Sequence, residues 1–199
     1  MKANIGMVYP VASAVSAYVP GTSITYGTGF VVSEARGASL SWDTEDGEFY
    51  GDDVVLDTAN GVLGYTLEFE AAGLADTVRG NLLGETKGSS DEYVIGSESS
   101  PDVGFGYIRV MRDNSSGTNA TTYEGWWFYK LKFAEPNEEA RTKERNIEWR
   151  TPTISGRGAG VVLTSGGEAV FAEHKSFSTM ALAKTYLNTK AGISGGVTT

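Results

Sequence analysis

Residues 103–156 read VGFGYIRVMRDNSSGTNATTYEGWWFYKLKFAEPNEEARTKERNIEWRTPTISG. Two strand-like runs, Phe105–Arg112 and Tyr123–Phe133, flank Asp113–Thr122, whose Asn, Ser, Thr and Gly content is that of a chain reversal. A charged connector, Ala134–Glu144, follows. Then Arg145–Thr151 alternates Ile147 and Trp149 with Glu148 and Arg150. In the second run a period of two puts Tyr123, Trp127, Tyr129, Leu131 and Phe133 on one face, and Glu124, Trp126, Phe128, Lys130 and Lys132 on the other. Both faces carry large rings, so this strand is either central in a sandwich or pressed against a neighbouring subunit. The stretch holds much of the aromatic surface and no catalytic constellation, a pattern of scaffolding for assembly.

Outward from this stretch, further strands are expected at Gly29–Ser33, Ala38–Trp42, Val54–Leu56, Thr153–Leu163 and Glu168–Lys175. Leu63–Glu70 alternates Leu63, Tyr65, Leu67 and Phe69 with Gly64, Thr66, Glu68 and Glu70, the mark of a strand with one buried face. The period changes at Gly73–Leu83, where Leu74, Val78 and Leu82 share a helical face and Gly84 supplies the stop. A second helix is expected over Ser178–Ala191, capped by Ser178, faced by Leu182, Tyr186 and Leu187, and ended by Gly192. Ser194–Thr199 reads as a tail.

A chain of 199 residues with 40% hydrophobic content suits one domain, residues 1–199, and buries roughly 70% of its unfolded surface. Its 26 Gly point to many turns and bulges. The fold class expected is mainly β with α. The absence of Cys excludes disulfides and thiolate metal sites. The N-terminus has its apolar run broken by Pro10 and reads as mature chain, and no stretch approaches the ~20 apolar residues of a membrane-spanning helix. A net charge of −9 argues against gripping a phosphate backbone. Residues 1–106 hold 4 Lys/Arg against 16 Asp/Glu, whereas residues 107–199 hold 12 against 9. This is either uneven surface decoration or a subunit with an acidic and a basic side, suited to head-to-tail stacking.

Little of the sequence carries chemistry. His174, between Glu173 and Lys175, is the one His, so hydrolytic triads lack a base and a surface role is expected. Gly104–Phe105–Gly106 has no βαβ unit around it and is not a dinucleotide fingerprint. The run Trp42–Asp57 holds Asp43, Glu45, Asp46, Glu48, Asp52, Asp53 and Asp57 with no Lys or Arg. It reads as a solvated loop, an arm contacting another subunit, or a Ca²⁺ site without EF-hand spacing. The adjacent rings of Phe49 and Tyr50 favour the arm. Glu68 and Glu70 share a strand face, a weak hint of a glycosidase pair against the plainer reading of an exposed face. Trp126–Trp127–Phe128–Tyr129 suits sugar stacking or packing. No cofactor or metal motif emerges.

In order and spacing, several short motifs together resemble the major tail (tail tube) proteins of long-tailed siphovirus-type bacteriophages. They run from Ala3–Asn4–Ile5–Gly6 through Trp42, Tyr50–Asp52–Asp53, Gly104–Val110 and Tyr123–Trp127 to Ile147–Thr153 and Ala183–Asn188. The Ser115–Thr122 segment departs from the family in being longer than its tight turn. The resemblance implies a β-sandwich or barrel-like subunit with one or two flanking helices. It also implies an N-terminal arm over about 1–25, an inter-ring loop over about 43–60, and a C-terminal helix and tail over about 178–199. Six copies would form a ring, and rings would stack into a tube in the virion that passes DNA into the host, with assembly in the host cytoplasm. It implies no enzyme activity and no membrane binding. The partners implied are other copies, a tape measure protein, tail tip or distal tail proteins and a tail terminator. Subunit contacts are expected at Trp42, Asp43, Glu45, Asp46, Glu48, Phe49, Tyr50, Asp52, Asp53, Trp126, Phe128 and Arg150. Glu68 and Glu70 are the lumen candidates. The lumen strands are expected from Gly29–Trp42 and Gly61–Glu70, or from the Phe105–Phe133 hairpin. The alternative reading is a carbohydrate-binding module or glycosidase-like β-sandwich, and a third is a tube-forming relative from a contractile machine.

Overall fold

The computed structural model describes residues 2–32, 35–51, 54–90, 92–96, 99–114, 120–136, 151 and 153–194. It is mainly β, with two helices. The strands are β1 (Lys2–Val19), β2 (Ser23–Tyr26), β3 (Phe30–Val31), β4 (Ala35–Gly51), β5 (Val54–Ala71), β6 (Thr86–Lys87), β7 (Tyr93–Val94), β8 (Val103–Asp113), β9 (Ala120–Phe133), β10 (Thr153–Gly158) and β11 (Ala172–Phe177). The helices are α1 (Asp76–Leu83) and α2 (Met180–Ala191). One antiparallel sheet runs in the order β2-β1-β8-β9-β10-β5-β4, with β3 on β1 and β11 on β9. β6 and β7 form a separate small hairpin that the sequence reading did not anticipate.

The N-terminal segment expected as an arm is instead the strand between β2 and β8. Val11, Ala12 and Ser13 are fully buried in it, because their pairing with β8 places them over the core. β8 spans the boundary between the acidic and basic halves of the sequence, and β10 of the basic half pairs with β5 of the acidic half, so the two halves interleave in the sheet.

β9 answers why both of its faces are apolar. Its register on β8 slips between the pairs Val103↔Leu131 and Phe105↔Phe128, which leaves one extra residue at Tyr129–Lys130. Such a bulge flips the side-chain alternation. Leu131 and Phe133 therefore join Phe128 and Trp126 in the main core, with Tyr65, Leu67, Phe69, Phe105 and Ile154. Trp127 and Ile108 face the other way, under Ala183, Leu187 and Ala191 of α2, with Tyr123 and Tyr129 beside them. The face expected to hold Trp127 together with Leu131 and Phe133 is thus split. The bulge backbone finds partners outside β8: Tyr129 N–H donates to the Phe171 carbonyl (3.1 Å) and Ala159 N–H to the Lys130 carbonyl (3.2 Å). The hydroxyls of Tyr26 and Tyr65 donate to the Tyr129 (2.8 Å) and Lys130 (3.1 Å) carbonyls.

α2 differs from expectation in cap and face. Leu182 N–H donates to Thr179 Oγ1 (3.4 Å), so Thr179 and not Ser178 is the cap. The buried face is Ala183, Leu187, Asn188 and Ala191, while Leu182 is exposed. Small residues allow the helix to sit close to the sheet, and glycines do the same from below. A Cβ on Gly106 would lie 2.7 Å from the Trp127 ring and 3.0 Å from Leu187, and one on Gly125 would lie 2.9 Å from Tyr186. Gly104–Phe105–Gly106 is therefore a packing motif. In α1, Leu82 and Leu83 are buried, Leu74 and Val78 pack partly against the core, and Gly84 (φ 83°) ends the helix as expected.

Candidate assembly surface

Three features meet around β4 and β5. The first is the hairpin. The acidic run expected as a loop is paired β-structure: Thr44↔Val62, Glu45↔Gly61, Asp46↔Asn60, Glu48↔Thr58, Phe49↔Asp57 and Gly51↔Val54 are register partners. β10 stops pairing with β5 at Tyr65↔Gly158, so past this point β4 and β5 pair only with each other among the described residues. Eight residues from Thr44 to Gly51 span roughly 25 Å. Asp46, Glu48, Phe49 and Tyr50 enter through their backbone pairing alone, and Asp52, Asp53 and Arg150 lie outside the described residues. So do the expected strand Arg145–Thr151, apart from Thr151, and most of the Ser115–Thr122 segment.

The second feature is an apolar root. A register slip between Asp43 and Thr44 leaves Leu63 as an extra residue in β5, and Leu63 is 65% exposed, unlike Tyr65, Leu67 and Phe69. Its expected place on the buried face is thereby corrected. Trp42, 42% exposed, leans edge-on against Tyr65 (5.6 Å) and Phe171 (6.3 Å). With Thr44, Val62, Phe171 and Ala172 it lines a groove of about 340 Å³. On its other side Trp42 borders a cavity of about 270 Å³ with Asn4, Met7, Tyr107, Arg109 and Trp126, where β1 and β4 approach without hydrogen-bonding.

The third feature is a bare polar sheet face. β10 alternates cleanly, with Thr153, Ser155 and Arg157 exposed and Ile154, Gly156 and Gly158 buried. Register carries the exposed row to Glu70, Glu68 and Thr66 on β5, then to Gly37, Ser39 and Ser41 on β4. Glu68 is exposed. Glu70 is held by the Thr151 hydroxyl and by Arg36 at 3.7 Å. Asp43 meets Arg157 at 3.5 Å. Both helices pack elsewhere, α2 on β1, β8, β9 and β11, and α1 on β1 and β9.

The remaining expected contacts divide. Phe128 is fully buried between Tyr65 and Tyr107, so it is a core residue and not a subunit contact. Trp126 is partly buried, stacked on His174 (4.6 Å between centroids), with the Arg109 guanidinium 5.2 Å from its ring. Of the four rings Trp126–Tyr129, Trp127 and Phe128 are fully buried. Neither the polar row Ser39, Ser41, Thr153, Ser155 and Arg157 nor the exposed Val62–Leu63 pair was singled out from sequence. Period-two polarity was available to find the row, but the strand order that assembles it was not.

Glu173 anchors α2 on the far side. It accepts from Tyr129 Oη (2.6 Å) and Tyr186 Oη (2.7 Å) and pairs with Lys190. Burial alone would push its carboxyl up, but these three donors together outweigh burial and hold it below its ordinary 4.5. Burial, and then the bond to Glu173, push the Tyr129 and Tyr186 hydroxyls up.

Among the described residues no group of three or more His, Asp or Glu gathers as metal ligands would, and no helix is long and apolar enough to cross a membrane. The chain matches no protein-family model and no curated protein.

Proposed function

We propose that this chain is a tail tube subunit of a long-tailed bacteriophage, a structural protein that closes into rings, six copies to a ring, and stacks them into a DNA-conducting tube. The observation that carries this reading is the β4–β5 hairpin beyond Tyr65. A two-stranded hairpin is marginal on its own in water, so roughly 25 Å of it, acidic and self-paired, calls for a surface to rest on. In this reading that surface is the adjacent ring, and the apolar root around Trp42, Val62 and Leu63 is covered at the same contact. Among the described residues β2 and β4 are the ends of the strand order and each pairs on one side, which supports lateral joining, because pairing edges between copies satisfies their free backbone groups.

The lumen in this proposal is the bare face of β4, β5 and β10, with Glu68 and Glu70. The Phe105–Phe133 hairpin is a poorer lining because its two faces are spent on the core and on α2. Carboxylates facing DNA repel it and let it slide. A tape measure protein, tail tip and terminator would be the other partners, acting on tube length and ends. Negative-stain electron microscopy of the purified protein over a concentration series tests the reading. Hollow tubes or stacked rings of uniform diameter are the expected result. Dispersed particles even when a pre-formed tail tip is added would overturn it.

A further inference from the structure

β1 is continuous, yet its two ends are held differently. Val11, Ala12 and Ser13 are fully buried, and Val11 and Ala12 pair with β3 on one side and β8 on the other. None of residues 3–9 is buried, Ile5 is 57% exposed, and their one strand partner among the described residues is β8. Register slips between Asn4 and Gly6, and again between Val8 and Val11. At the second slip Tyr9 has φ 57°, the one non-glycine residue with positive φ among those described. It precedes Pro10, a position where side chains crowd and an extended backbone is favoured. The left-handed turn at Tyr9 is thus strained, and its surroundings hold it there. The Tyr9 hydroxyl donates to Asn188 Oδ1 (2.9 Å), and Lys184 Nζ lies 4.9 Å from the ring centre. Tyr9 is clamped to α2, Pro10 fixes the chain after it, and of the hydrophobic residues before it Met7 and Val8 pack partly against the core while Ile5 is exposed.

We propose that Lys2–Val8 is an exchangeable strand, which leaves β8 of its own subunit and pairs in the same register with β8 of a second copy. When the segment lifts, β8 exposes the backbone of Ile108–Asp113 as a free edge, and a free edge is a template for another strand. The occupant that matches this edge bond for bond is the same segment of another copy. Exchange keeps every hydrogen bond of the closed form, and an extended path relieves the left-handed turn at Tyr9. The inference stands apart from the tube reading, since any two copies can exchange, although exchange would fasten neighbouring subunits in a ring.

The chain has no cysteine, which makes the test direct. Ala3 and Arg112 are register partners and both are exposed. Ala3→Cys and Arg112→Cys copies carrying tags of different size are mixed in equal amounts, incubated at high concentration, oxidised and separated without reductant. Random collision gives mixed disulfides as about half of the dimers. Exchange predicts that mixed disulfides outnumber both like pairs combined by several-fold. A statistical share, or no dimer at all, overturns the proposal whatever electron microscopy finds. Hydrogen exchange on the unaltered chain is the second measurement. Amides of residues 3–8 should exchange on the order of a hundredfold faster than those of 11–15, and equal protection would show that the strand does not detach.

Discussion

Tyr26 and Tyr65 carry their hydroxyls into the main bulge of the sheet, and this decides what their loss costs. Tyr26 also accepts from Trp127 Nε1 (3.3 Å), with the two rings edge-on at 5.2 Å. Tyr26→Phe keeps the ring and leaves a carbonyl and an indole N–H unpaired. We expect a loss of about 1–3 kcal/mol, read as a lower urea midpoint with an unchanged slope. Glu173 makes a pH-dependent contribution. Its folded pKa is depressed, so its stabilisation is present above the ordinary carboxylate value and fades as pH falls through the lower folded one. Glu173→Gln should therefore cost about 1–2 kcal/mol at neutral pH, discounted for partial exposure. The gap to the unaltered protein should narrow as pH drops below 4.5. A gap independent of pH would remove the ionic part of this account.

The β4–β5 hairpin is the element with least support from its own subunit. Replacing Thr44–Asn60 by an Asn-Gly turn, a dipeptide suited to a tight reversal, should leave the body folded. Its thermal midpoint is expected within a few degrees of the full chain, because the replaced residues lie beyond the pairing of β5 with β10. The same variant should form no tubes. Tubes of normal length from it would show that stacking uses another element. α2 is the opposite case. It is bound by small residues, by Tyr9, and by the Glu173 cluster, so it moves with the sheet.

For the whole molecule, sheet order sets which surface is bare. If the face of β4, β5 and β10 lines a channel, its charge acts on DNA and not on the fold. Glu68→Lys reverses the charge of an exposed side chain. Its effect on unfolding should stay within about 0.5 kcal/mol. Assembled tubes of this variant should retain short DNA duplexes, in a manner that weakens steeply with salt, whereas unaltered tubes release them. Equal release from both would place Glu68 outside the channel.

The strand over Leu63–Glu70, the helix α1 and the pair β8 and β9 were readable from periods of two and 3.6 and from glycine stops, since neighbours within one turn or one hairpin dictate these, whereas the β6–β7 hairpin was not. Gly84 and Gly192 ended their helices as their positions required. The acidic run also identified itself as a segment apart. Other features depended on residues distant in the chain. The bulge at Tyr129–Lys130 exists because Phe171, Ala159, Tyr26 and Tyr65 satisfy its backbone, so a strict period of two misassigned Leu131 and Phe133. Phe128 reads the same as Trp126 in sequence, and only the rings of Tyr65 on β5 and Tyr107 on β8 packed against it make one core and the other part of a cavity wall. β1 resembled an arm until β8 paired with it. Periodicity is a local property that the sequence by itself determined. Edges, bulges and bare faces follow from which strand lies beside which, and only the tertiary structure decided those.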